Sequence, residues 1–208
     1  MNADRPNLGF VHRFIPASDP NRPPLLLLHG TGGNESDLLP LAYRVAPGSA
    51  LLSPRGKVLE DGMPRFFHRL AEGVFDTEDV KRRAQELADF VAAARKTYGI
   101  AKPIALGFSN GANIAAAMLL LRPETLAGAV LLRPMAPLEP ATPPDLKGVP
   151  VLMLSGSDDP MSPPASRDRL EGLLRGAGAD VRHEIVPAGH GLSAQDLAIV
   201  AEWLSARA

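Results

Sequence analysis

The chain has 208 residues, no cysteine and a formal net charge of −1. That length suits one domain, 1–208, with a substantial core, and near-neutrality without a basic run speaks against nucleic acid as a partner. The missing cysteines rule out disulfides and thiolate metal sites. The N-terminal stretch MNADRPNLGFVHRFIPA lacks the continuous apolar core of a secretory signal. The apolar runs at 25–28 and 114–121 are too short to span a bilayer. A cytoplasmic protein is therefore expected, and the sequence leaves a homodimer open.

In chain order, residues 8–15 (LGFVHRFI) read as a first strand and 24–28 (PLLLL) as a second, buried on both faces. Gly30-Thr31-Gly32-Gly33 makes a flexible turn into a helix expected over 35–46, and 49–53 reads as a short third strand. A connection from Pro54 to Phe75 follows, long enough to suggest a functional loop. Asp76 is placed to cap a helix whose apolar positions Val80, Ala84, Leu87, Ala88 and Val91 recur at helical spacing, with Gly99 as its stop. Residues 103–108 (PIALGF) read as a buried strand and 113–121 as a buried helix. Strands are expected at 128–132, 149–155 and 181–186, helices at 165–175 and 194–206, and loop from Arg133 to Lys147. Alternation of strands with helices predicts a mainly parallel central sheet with helices on both faces.

Between the 103–108 strand and the helix after it lies Gly107-Phe108-Ser109-Asn110-Gly111, a G-x-S-x-G. In a nucleophile elbow the serine occupies a tight strand-to-helix turn, and the flanking glycines relieve crowding. Serine needs a base, and the base needs an orienting acid. Only His183 and His190 follow Ser109. His183 alternates with apolar residues inside a predicted strand, whereas His190 sits in a loop after the last strand, where open α/β sheets put their ligand sites. His190 is therefore the expected base. The acid should follow the strand at 149–155, where Asp158 and Asp159 stand side by side and spacing alone does not choose between them. An oxyanion hole would use the backbone N–H groups of Asn110 and, from the early glycine-rich loop, Thr31; with only the amide in use, Thr31→Ala is expected to be mild. His29 reads as a structural residue of that loop. His12 and His68 lack metal-ligand spacing, so neither a metal nor another cofactor is expected.

With LLHGTGGNE, GFSNGAN, SGSDDPMSP and AGHGLS in order, the chain resembles the small carboxylesterase/phospholipase group of α/β hydrolases. The stretch SPRGKVLEDGMPRFFHRLAEGVFDTEDV is most similar to the branch linked to hydroquinone and catechol responses. The resemblance implies an α/β-hydrolase fold without a large cap domain, and a G-x-x-D-P turn that selects Asp159. It also implies hydrolysis of small carboxylic esters through an acyl-enzyme on a Ser109-His190-Asp159 triad. Met63, Phe66 and Phe67 are expected to wall the substrate pocket, unless the two phenylalanines pin the loop to the core. The alternative functions are an acyl thioesterase or lysophospholipase on the same triad, or a non-catalytic ligand sensor that retains the fold.

Overall fold

A computed structural model describes residues 6–207. Its main sheet has seven strands: β1 (His12–Ile15), β2 (Leu25–Leu28), β3 (Leu51–Pro54), and, past the 54–75 segment, β8 (Ile104–Phe108), β9 (Gly128–Leu132), β10 (Pro150–Gly156) and β11 (Asp180–Val186). The spatial order is β1-β3-β2-β8-β9-β10-β11; β1 runs antiparallel to β3 at one edge and every other pairing is parallel. The four leucines of β2 are fully buried. Their side chains alternate across the sheet. Leu26 and Leu28 join the core beneath α2 (Thr77–Tyr98), α3 (Asn110–Leu121) and α4 (Pro164–Gly176). Leu25 and Leu27 join the core beneath α1 (Leu39–Val45) and α5 (Ala194–Ser205). The expected mainly parallel sheet with helices on both faces is thus present.

α3 is apolar on nearly every side, as a helix enclosed by sheet and neighbours must be, and α2 begins and ends where its capping residues require. The Asp76 side chain accepts the Asp79 N–H at 3.1 Å, and Gly99 closes the helix at φ +67°. None of the described helices is long and apolar enough to cross a membrane.

Three expectations need correction. The first strand is shorter than 8–15, starting at His12. α1 starts at Leu39 rather than 35, with Pro40 in its first turn. Proline lacks an N–H and cannot sit in a helix interior, so a start at 35 is excluded. The 54–75 segment, expected as a long functional loop, contains regular structure: two small antiparallel hairpins, β4 (Val58–Glu60) with β5 (Met63–Arg65), and β6 (Arg69–Ala71) with β7 (Val74–Phe75).

Candidate active site

Ser109 sits between β8 and α3 at φ +52° and ψ −114°, a sparsely populated backbone region that costs a non-glycine residue about 1–3 kcal/mol. The turn is this sharp because the chain passes very close to its neighbours. A Cβ on Gly111 would lie 1.9 Å from the Leu28 carbonyl oxygen, and one on Gly107 would lie 2.5 Å from the Gly111 carbonyl oxygen. Glycine at both positions is therefore steric necessity. The Ser109 N–H is tied to the Leu132 carbonyl at 2.8 Å, which fixes the elbow to the end of β9.

The loop after β11 brings His190 to this serine. Its Nε2 lies 2.9 Å from Ser109 Oγ, while Nδ1 lies 3.0 and 2.9 Å from the two carboxylate oxygens of Asp159. A carboxylate only accepts hydrogen bonds, so Nδ1 carries the proton and Nε2 is free to accept the serine O–H. The Asp159 side chain is fully buried, and its Oδ1 also accepts the Met161 N–H at 2.9 Å. Asp158 points elsewhere: it is exposed and accepts the Ser157 hydroxyl at 2.8 Å. Of the two adjacent aspartates, Asp159 is the one beside the imidazole.

Thr31 and Asn110 flank the same serine. Asn110 is the first residue of α3, so its N–H has no partner within the helix. The Thr31 N–H donates to no acceptor among the described residues. Both amides sit on a shared brace. Gly32 N–H donates to the Pro64 carbonyl at 2.9 Å, Phe66 N–H donates to Asn110 Oδ1 at 2.8 Å, and Arg65 Nη1 donates to Thr31 Oγ1 at 2.8 Å. Arg65 is buried, and burial pulls its pKa below the usual arginine value. The Thr31 side chain therefore matters more than sequence suggests. Thr31→Ala removes the acceptor of a part-buried guanidinium hydrogen bond and is expected to cost about 0.5–1.5 kcal/mol in urea unfolding, whereas Thr31→Ser keeps the acceptor. Equal midpoints for both variants would contradict this.

His29 is structural, and its tautomer follows from its partners. Nε2 accepts the Gly56 N–H at 3.0 Å, so Nδ1 holds the proton it donates to the Gly30 carbonyl at 2.7 Å. Burial lowers the His29 pKa below its ordinary value of 6.5. As pH falls below that value the unfolded chain takes up a proton here before the folded chain does, so stability falls with acidification. His29→Asn is expected to lower the melting temperature at pH 7.5 yet flatten its decline toward pH 5.5. A parallel decline in variant and wild type would exclude this source.

The cleft at Ser109 is small, with a volume of about 30 Å³. Thr31, Arg65, Phe75, Met135 and Met161 are among its walls. The residues expected to wall it do not. Phe66 and Phe67 are buried in the core, where Phe66 packs on His29 and Phe67 meets Phe75 edge-on. Met63 is exposed on β5. The phenylalanines pin the segment down, because two adjacent large apolar rings are held best where both can leave water. Arg55 and Arg69 are paired with Glu35 and Glu60 respectively. Among the described residues no group of three His, Asp or Glu side chains converges as metal ligands would.

A second Ser-His-carboxylate chain lies away from this cleft. Ser155 Oγ is 2.9 Å from His183 Nε2, and His183 Nδ1 is 2.7 Å from Glu171 Oε2. The hydrogen bond from His183 holds the Glu171 pKa below its usual value. Ser155 is completely buried inside β10, so no ester can reach it. Sequence reading also missed Arg133. The first residue of the expected loop, it follows directly on β9 and is wholly buried, with φ +55°.

A family model described as phospholipase/carboxylesterase matches residues 11–208. MhqD of Bacillus subtilis (strain 168), a hydrolase by name, is 45% identical over 181 residues, which cover 86% of this chain and 90% of the relative. The crystal structure of a Bacillus cereus carboxylesterase superposes with a TM-score of 0.94 at 44% identity, over 97% of this chain and 96% of the other. A carboxylesterase from Mesorhizobium loti gives a TM-score of 0.90 at 35% identity, over 96% of each chain.

Proposed function

The chain belongs to the phospholipase/carboxylesterase family of α/β hydrolases, and from that premise we propose that it cleaves small carboxylic esters through an acyl-enzyme on Ser109. The observation that carries this reading is the continuous chain from Ser109 Oγ through His190 to the Asp159 carboxylate, with links of 2.9 Å and 2.9 Å. Ser109 attacks the ester carbonyl as His190 Nε2 takes its proton, and Asp159 holds the imidazole and stabilises the imidazolium. The amides of Thr31 and Asn110, aided by the N-terminus of α3, receive the charge that develops on the carbonyl oxygen. His190 then gives its proton to the departing alkoxide, which leaves as the alcohol. A water, deprotonated by His190, attacks the acyl-enzyme, and the carboxylic acid departs with Ser109 restored.

The narrow cleft at Ser109, walled by Phe75, Met135 and Met161, favours short acyl groups. A p-nitrophenyl ester series from C2 to C8, run beside a thioester and a lysophospholipid, tests the substrate class, with fluorophosphonate labelling mapped by mass spectrometry. Expected are fastest turnover at C2–C4 and a single adduct on Ser109. Thioester or lysolipid rates far above every ester rate would overturn the substrate class. A folded protein that neither hydrolyses nor takes the label would overturn the enzymatic mechanism.

A further inference from the structure

Arg133 spends all five guanidinium donors inside the protein. Nε donates to the Gly189 carbonyl at 2.9 Å and Nη2 to the Gly191 carbonyl at 2.9 Å. Nη1 and Nη2 form a fork on Asp196, at 2.8 Å to each oxygen, and the remaining Nη1 hydrogen reaches the Leu154 carbonyl at 3.4 Å. The two glycine carbonyls are those on either side of His190. A Gly-His-Gly loop has no neighbouring side chains to hold it, and glycine's backbone is the freest of all. The arginine supplies the missing constraint.

Its own anchorage is rigid. The Arg133 N–H is bonded to the Leu154 carbonyl at 2.8 Å, and the preceding Leu132 carbonyl accepts the Ser109 N–H. Asp196, in the first turn of α5, also accepts the Ser193 N–H at 2.7 Å and the Ser193 hydroxyl at 2.8 Å. Burial works against the Asp196 charge, but the hydrogen bonds from Arg133 and Ser193 outweigh it and hold its pKa below the usual carboxylate value. One buried side chain thus joins the end of β9, to which the serine elbow is tied, the N-terminus of α5 and the loop that carries the imidazole.

We propose that Arg133 is the positioning residue for His190, clamping the carbonyls of Gly189 and Gly191 so that the imidazole meets Ser109 and Asp159 together. The inference rests on the hydrolase reading for its kinetic consequence, though not for its geometric one. Arg133→Lys keeps the charge but has no planar fork. Since misplacing a catalytic group by about 1 Å costs on the order of 10²-fold in rate, Arg133→Lys is expected to lower kcat roughly 10²-fold. KM should stay within about threefold, because no substrate contact is lost. Rates are taken per titrated active site, well below the variant's melting temperature. Asp196→Asn, which keeps one acceptor oxygen, is the second variant, and a smaller fall in kcat with the same unchanged KM is expected of it. A folded variant with wild-type kcat, or one in which KM alone rises, would overturn the proposal. An NMR measurement separates this failure from failure of the hydrolase reading. The exchange-protected Nδ1–H resonance of His190 should be present in wild type and lost in Arg133→Lys whether or not esters are cleaved, and its persistence in the variant would sink the positioning role.

Discussion

Ser109→Ala is expected to lower turnover of a short p-nitrophenyl ester by about 10⁴- to 10⁶-fold with the melting temperature held or slightly raised. The size of the loss follows from the chemistry: without Oγ no acyl-enzyme forms, and what remains is water attack helped only by binding and the oxyanion amides. The stability half of the expectation comes from the elbow. Although Ser109 is the N-cap of α3, its side chain makes no capping hydrogen bond, so alanine removes no cap. Its backbone sits at φ +52° whichever residue is present, held by the approach of Gly111 to Leu28. Kinetics, thermal melting and fluorophosphonate labelling on the same preparations provide the check. A folded variant with substantial turnover would mean that another group is the nucleophile.

Asp159→Asn should cost about 10³- to 10⁴-fold in kcat, while Asp158→Asn should stay within about twofold of wild type, as surface changes usually do. The adjacent carboxylates differ by their surroundings. Asp159 is buried with both oxygens on His190 Nδ1, so an amide there presents N–H₂ as readily as oxygen and favours the imidazole tautomer that cannot accept the serine proton. The Asp158 side chain faces water, where its carboxylate accepts the Ser157 hydroxyl. Circular dichroism must show both variants folded. Comparable losses in the two, or a larger loss at Asp158, would reassign the acid.

The features readable from sequence were those with a steric or ordering signature. Gly107 and Gly111 announce the elbow because no other residue fits, and His190 is recognisable from its place after the last strand. The choice between Asp158 and Asp159 is not contained in local spacing: which carboxylate turns inward depends on how the turn after β10 meets the loop after β11. Other signals were present but weak. Pro40 marks the true start of α1, and Asp61-Gly62, at φ +51° and +77°, is the hairpin turn joining β4 to β5. Their three-residue strands are too short for a periodic pattern. Phe66 and Phe67 show the limit of inferring a pocket from aromatic content, since composition does not say which way a ring faces. Arg133 had no readable signal, because most of its partners are backbone carbonyls, which every residue possesses.

The order of the parallel strands has a consequence for how this site comes into being. Ser109 and His190 are 81 positions apart and His190 and Asp159 31 apart, and the serine, the acid and the imidazole follow β8, β10 and β11 in turn. Each parallel pairing must wait for an intervening crossover to close, the slow kind of contact in folding. No local fragment holds Ser109, Asp159 and His190 together. The three side chains therefore meet only once β8, β10 and β11 share one sheet.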